Sequence, residues 1–307
     1  MPNESLVTPA RSGAGTTKRR RLAAAALACL AVAGLWTAYC STSVVVERVE
    51  VQIAGLPAAF DGFVVVQITD LHGRRFGSGG PLVAAIRTAR PDIIAATGDY
   101  VDRSTGELTN IGPLFEALVD IAPVYAVSGN HDYLAGWSTV AAFLRQCGVV
   151  VLENKYVELD AGGNERLILA GVSDPATRRH DLAAAIPPDR EAPPGTSAPV
   201  ILLAHAPTLH QRLRDGDDAG DLALLDEVAL TLAGHTHGGQ IKLPLIGAMS
   251  NASGRPFPRS YVEGLSWEGH GWLYISRGLG YTILPLRFLS RPELTIVTLR
   301  SGRAGGQ

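Results

Sequence analysis

The sequence predicts an α/β fold with much parallel strand pairing, preceded by one transmembrane helix. Three observations predict it. From residue 62 to about 154, apolar strand-like runs alternate with helix-like runs. Several of the strand-like runs are apolar at almost every position, as strands covered on both faces are. At the N-terminus "KRRR" (18–21) precedes residues 22–39, which carry no charge. That run is about the minimum length for crossing a bilayer, near 20 residues.

The body reads in order as follows. "SVVVERVEVQI" (43–53) alternates as a half-buried strand does, and "GFVVVQITD" (62–70) is a buried strand. The helix-like "PLVAAIRTAR" (81–90) leads to the apolar "DIIAATGD" (92–99). "GPLFEALVDI" (112–121) reads as a helix, "PVYAVSGNHD" (123–132) as strand and loop, "STVAAFLRQC" (138–147) as a helix and "GVVVLEN" (148–154) as a strand. Residues 155–172 read as a hairpin with a glycine-rich turn. The proline-rich, polar stretch 173–199 is a surface excursion within one domain. Strands resume at "VILLAHA" (200–206), "VALTLAGH" (228–235), "GWLYISRG" (271–278) and "LTIVTL" (294–299). The organisation is therefore a basic cytoplasmic N-terminus (1–21), an uncleaved signal-anchor (22–40), one domain (41–300) and a flexible tail (301–307).

Composition narrows the class. Hydrophobic residues make up 46% and charged residues 18% of the 307, a globular balance. The net charge of −2 gives no global basic field for nucleic acid. Arg11, Lys18, Arg19, Arg20 and Arg21 face only Glu4 in the first 41 residues, so the body is mildly acidic. Positive charge ahead of the apolar run keeps the N-terminus in the cytoplasm. The expected location is the cell membrane, single-pass, with the body on the extracytoplasmic side. Cys29, Cys40 and Cys147 leave the body one thiol, which excludes a thiolate zinc site and a disulfide framework.

Polar residues fall at the ends of the predicted strands. Asp70 and His72 end one, Asp99 the next, Asn130 and His131 a third, His205 a fourth, and His235 and His237 a fifth. In open α/β sheets ligands bind beyond the carboxyl ends of the strands, so five such ends can converge. Carboxylate, imidazole and amide oxygen suit a divalent Mn, Fe or Zn ion without thiolate. The donors are too many for one ion, and two ions about 3.5–4 Å apart would use them all. Each residue also has a simpler reading: Asp70 or Asp99 as a helix N-cap, His205 as a satisfied core histidine, Asn130 as a turn residue. A site is absent only if every simpler reading holds at once.

The ordered set "DLH" (70–72), "GDYVD" (98–102), "GNHDY" (129–133), "AHAP" (204–207) and "GHTHGGQ" (234–240) resembles the calcineurin-like metallophosphoesterase superfamily. "GGQIKLPLIG" and "SRGLGYTILPLR" are similar to its membrane-associated bacterial phosphodiesterase subgroup, typified by YkuE and YaeI. The resemblance implies two mixed β-sheets packed as a sandwich flanked by helices, in four α/β/β/α layers. It implies that Asp70, His72 and His237 hold one metal ion, that Asn130, His205 and His235 hold the other, and that Asp99 bridges. It implies that His131 binds no metal but meets the phosphate or the leaving oxygen as the catalytic residue.

Two ions would lower the pKa of a shared water to roughly 7 and so supply a nucleophile for in-line attack on phosphorus. The expected substrate is a phosphodiester, of a small molecule, a lipid or the cell envelope. Arg74, Arg75 and Arg277 are each either phosphate-binding residues or solvated loop arginines. Residues 278–289 are either ordinary core or an apolar rim beside the metals that faces the bilayer. Two rival functions remain: a pyrophosphatase of a lipid-linked nucleotide, similar to UDP-diacylglucosamine hydrolases, and a non-catalytic, metal-stabilised binding module.

Overall fold

The computed structural model describes residues 14–162, 165–189, 197–215, 219–250, 254–256 and 259–302. Helix α1 (Ala14–Thr42) includes the basic cluster and the apolar run, and its segment Arg19–Thr42 is long and apolar enough to cross a membrane. Leu22, Leu27, Leu30 and Leu35 on it are exposed, whereas Cys40 and Ser41 at its end are buried against the body.

The first half of the body alternates β1 (Val45–Ile53), β2 (Val64–Ile68), α2 (Pro81–Ala89), β3 (Ile93–Ala96), α3 (Leu108–Val119) and β4 (Val124–Ala126). Helices α4 (Asn130–Ala135) and α5 (Trp137–Gln146) then lead to the short β5 (Val150–Val151). The second half begins with the hairpin β6 (Lys155–Asp160) and β7 (Arg166–Gly171). It continues through α6 (Leu182–Ala185), β8 (Val200–Leu203), α7 (Thr208–Asp215), α8 (Ala219–Leu225) and β9 (Val228–Ala233). A small hairpin, β10 (Lys242–Leu243) and β11 (Gly247–Ala248), precedes β12 (Gly264–Trp267), β13 (Trp272–Ile275) and β14 (Glu293–Ser301).

Two six-stranded mixed sheets result. One runs β1-β14-β2-β3-β4-β5 and the other β12-β13-β9-β8-β7-β6. Strands β2 to β5 pair in parallel, as do β7, β8, β9 and β13. Period-two alternation sorts the side chains into layers. Val65, Ile93 and Ala95 of the first sheet pack against Leu169, Ile201, Leu203 and Leu232 of the second. Val66, Ile68 and Ile94 face the opposite way, onto Ile86 of α2 and Leu114 and Phe115 of α3. Val200 and Leu202 face Leu182 and Leu225 beyond the second sheet. These are the four expected layers.

Gln67 is the polar exception inside the sandwich. Its Nε2 donates to Thr97 Oγ1 at 2.9 Å in the first sheet's β3 loop and to Ala233 O at 2.9 Å in the second sheet. It thus ties the two sheets together beside the strand ends that carry the candidate ligands.

Three expectations are revised. Asn130 and His131 lie on the first turn of α4 and not at a strand end. The excursion 173–199 carries α6, whose first turn is capped by Asp181 accepting from the Ala184 amide at 3.0 Å; its residues 190–196 lie outside the described residues. The expected tail loses Ser301 to β14, and its residues 303–307 also lie outside the described ones, as do residues 1–13.

Candidate functional site

The parallel strands deliver their carboxyl ends to one place. After β2 the chain crosses to the next loop, with the Asp70 amide donating to Gly98 O and the His72 amide to Asp99 O, both at 3.0 Å. The Gly234 amide donates to His205 O at 2.8 Å, and the Leu279 and Gly280 amides donate back to Thr69 O and Asp70 O. The loops are therefore laced to one another and not merely adjacent.

That arrangement strains the backbone. Asp70 (φ 54°), His72 (46°), Asp99 (54°), His235 (72°) and His237 (52°) all occupy the left-handed region. A β-carbon is disfavoured there, at a cost of about 1–3 kcal/mol per residue in such sparsely populated conformations. Five of the seven candidate ligands carry this strain, so the surrounding lattice holds their side chains where relaxed strand ends would not. Glycine makes room at two points. A β-carbon at Gly129 would overlap Asp99 Oδ1, and one at Gly234 would overlap Asp70 Oδ2 and Thr69 Oγ1.

The seven residues form two groups that meet at Asp99. In the first, His237 Nε2 lies 3.0 Å from His72 Nε2 and 3.5 Å from Asp70 Oδ1. In the second, His205 Nε2 lies 3.2 Å from Asn130 Oδ1 and 3.1 Å from His235 Nδ1. Asp99 Oδ2 is 3.6 Å from His72 Nε2 and 3.1 Å from His205 Nε2, so a single oxygen faces both groups. Its Oδ1 accepts from the His131 amide at 2.9 Å. Atoms bonded to one ion at about 2.1 Å lie roughly 3.0–3.4 Å apart, and the donors here lie between 3.0 Å and the 3.9 Å that separates His72 Nε2 from Asp70 Oδ1. The residues present therefore fit two divalent ions. The pair in "GHTHG" is divided between the groups: His235 joins one and His237 the other.

Electrostatics agree with that fit. Burial opposes ionisation of Asp70 and Asp99, yet the neighbouring imidazoles, His237 and His72 at Asp70 and His205 at Asp99, hold both below the usual carboxylate range. Burial also opposes a charge on His72, but Asp102 and Asp70 raise it to about 9; Asp99 raises His205 in the same way. Burial keeps His237 and His235 low and neutral. Metal binding needs deprotonated imidazole, so protons and metal ions compete for His72 and His205.

His131 belongs to neither group. Its Nδ1 lies 2.8 Å from Asp102 O and 2.9 Å from Asp102 Oδ1, and its ring meets His72 edge-on at 4.8 Å between centroids. Asp102 Oδ1 also lies 3.4 Å from His72 Nδ1. The Asp102 backbone carbonyl thus orients His131, while its carboxylate stands as a neighbouring charge beside both rings and His72 turns Nε2 to the first group. Sequence reading left Asp102 without a role, although it ends the quoted "GDYVD". Asp132 also had none. Its carboxylate accepts from the amides of Asp99, Tyr100 and Gly129 at 2.9 Å and fixes the Asp99 loop.

The three arginines are engaged elsewhere. Arg74 donates to Leu279 O (2.9 Å) and Ser41 O (3.2 Å). Arg75 donates to Asn110 Oδ1. Arg277 pairs with Glu47 at 2.7 Å and Glu293 at 2.9 Å. None lines the cavity beside the metal groups among the described residues. Each guanidinium meets oxygens of the protein itself: backbone carbonyls at Arg74, the Asn110 amide oxygen at Arg75 and two carboxylates at Arg277. Arg287, which sequence reading passed over, is fully buried. It donates to the carbonyls of Gly280, Arg277 and Gly278, and its Nη2 is 3.1 Å from His237 Nδ1.

A cavity of about 340 Å³ opens over Asp99, His131, His235 and His237. A larger one, about 590 Å³, lies at the other end of the second sheet beside Asp226, Trp267 and Trp272, and among the described residues it gathers no comparable set of ligands.

A two-sheet sandwich with paired groups of buried metal donors at its strand ends defines a metal-dependent phosphoester hydrolase. Residues 63–239 match the family model described as calcineurin-like phosphoesterase, and the chain belongs to that family. It is 32% identical over 259 residues to "Uncharacterized metallophosphoesterase YkuE" of Bacillus subtilis (strain 168), covering 80% of this chain and 82% of that one. It is 31% identical over 249 residues to "Phosphodiesterase YaeI" of Escherichia coli (strain K12), covering 77% and 82%. "Transmembrane protein with metallophosphoesterase domain" of Danio rerio is 28% identical over 299 residues, covering 93% of this chain and 64% of that one.

Proposed function

We propose that the protein is a membrane-tethered phosphodiesterase working with two divalent ions. Asp70, His72 and His237 hold one ion, Asn130, His205 and His235 the other, and Asp99 is shared. The observation that carries this reading is the place of Asp99 Oδ2, within 3.6 Å of a donor in each group. The diester preference is supported by likeness to the relative named phosphodiesterase YaeI. Tethering is supported by the Arg19–Thr42 segment of α1, and the basic residues ahead of its uncharged run 22–39 favour a body turned away from the cytoplasm.

When bound, the two ions supply Lewis acidity to phosphate oxygens and a water acidic enough to attack at neutral pH. The protein's own residues supply the rest. The Asp102 backbone carbonyl accepts a hydrogen bond from His131 Nδ1 and sets the ring's direction, with the Asp102 carboxylate beside it. His131 Nε2 is then the nitrogen that carries a proton to the leaving oxygen, a contribution of about 10²–10⁴-fold. Asp132 and the Gly129 backbone keep Asp99 and His131 in register.

Metal removal tests the reading. The full chain in detergent should hydrolyse bis(p-nitrophenyl) phosphate with Mn²⁺, lose that activity after exhaustive chelation, and regain it when Mn²⁺ is restored. Turnover unchanged by chelation, with the metal shown to be gone, would refute a metal-dependent mechanism.

A further inference from the structure

Between α1 and the metal cavity the chain presents exposed aliphatic side chains at two tips. The β10–β11 hairpin turns at Leu245, which is fully exposed, and Ile246. A second tip carries Ile283, 85% exposed, with Leu284 beside it. Turns normally bear polar residues, and these two bear aliphatic ones.

Gln240 joins the tips. Its Nε2 donates to Thr282 O at 3.0 Å and Leu284 O at 3.1 Å, and its Oε1 accepts from the Thr282 amide at 2.9 Å. Its carbonyl accepts from the Phe288 amide, and the Lys242 amide donates to Phe288 O. The two tips are therefore one unit, three residues from His237. Ile241, Met249, Ile283 and Leu284 also line the cavity over the metal groups.

The same unit is fixed to α1. Phe288 shares a crease with Cys29, Val32 and Trp36. The Arg287 amide donates to Ser41 Oγ at 2.7 Å, and the Arg291 guanidinium lies 5.1 Å from the Tyr39 ring centroid. Val32 precedes the end of α1 by ten residues, about 15 Å along the axis. A bilayer that covers α1 therefore reaches the level of Phe288 and the tips beside it.

We infer that the metal cavity opens into the membrane interface through this apolar rim, and that its substrate is a phosphodiester with a long aliphatic arm still seated in the bilayer. This rests on the tethered, dinuclear reading above. Apolar faces of this kind settle about 5–10 Å into the headgroup and acyl boundary. A phosphate at headgroup depth then meets the metals without the chain leaving the lipid.

The test uses the full chain in phosphatidylcholine vesicles with Mn²⁺ and two synthetic esters, p-nitrophenyl ethyl phosphate and p-nitrophenyl hexadecyl phosphate. The wild type should favour the hexadecyl ester in kcat/KM by at least about tenfold. Partitioning alone could give such a preference, so the second arm is the double variant Leu245→Asp with Ile246→Asp. Neither residue lines the cavity. The variant should keep its ethyl-ester turnover and lose most of the hexadecyl preference. A third arm is independent of activity: fluorescence added by Leu245→Trp should be quenched by lipids brominated on the acyl chain.

Equal use of both esters, or a preference that survives the double variant, overturns the inference and leaves the phosphodiesterase reading standing. An unquenched Leu245→Trp overturns it too, and doubled mass in detergent would then assign the tips to a second copy of the chain. Quenching without turnover of either ester overturns the phosphodiesterase reading and the substrate class with it.

Discussion

Asp99→Asn is expected to lose at least one metal ion and to slow hydrolysis by about a thousandfold or more. Both carboxylate oxygens of Asp99 are committed. Oδ2 faces His205 Nε2 and His72 Nε2 at 3.1 and 3.6 Å, and Oδ1 accepts from the His131 amide. An amide placed there turns its NH₂ either toward the cations or toward the His131 N–H, and both orientations set donor against donor or cation. The lost charge also stood between two dications. A loss of about 4 kcal/mol in transition-state stabilisation corresponds to roughly a thousandfold in rate. Metal analysis of the purified variant, with kcat measured on the same preparation, decides the matter. Two ions retained with undiminished turnover would remove Asp99 from the centre of the site.

His131→Ala separates binding from chemistry. The variant is expected to keep both ions, because His131 Nδ1 is turned to Asp102 and its ring meets His72 only at an edge. Its kcat should fall by about 10²–10⁴-fold, the usual contribution of a positioned proton donor. The loss should be larger for an alkyl leaving group than for p-nitrophenolate, which departs without a proton. Loss of metal from the variant would place His131 among the ligands, in a group with His72 and Asp102 whose donor atoms also lie close together. A uniform loss across leaving groups would point to phosphate binding instead.

The seven candidate ligands were legible because each interrupts or follows an apolar run at the end where α/β sheets bind ligands. Asn130 was found for a partly different reason, since a short helix and not a strand carries it. Asp102 and Asp132 were not legible as positioning groups. Their partners are imidazole nitrogens and backbone amides that come near only when the loops after β3 and β4 fold over each other. Arg287 was hidden for a physical reason as well. A guanidinium in an apolar run is expected at the surface, and nothing local reveals the carbonyls that surround it. Arg277 follows a strand end in sequence, and nothing local to it reveals the pairing with Glu47 and Glu293. β10, β11 and β12 are too short for periodicity to reveal.

Two groups of donors that share one carboxylate oxygen have a signature in anomalous X-ray scattering from crystals grown with Mn²⁺. Two peaks about 3.5–4 Å apart are expected, one beside Asp70, His72 and His237 and the other beside Asn130, His205 and His235, with Asp99 Oδ2 between them. A single peak, or a peak held by His72, Asp102 and His131, would contradict this arrangement.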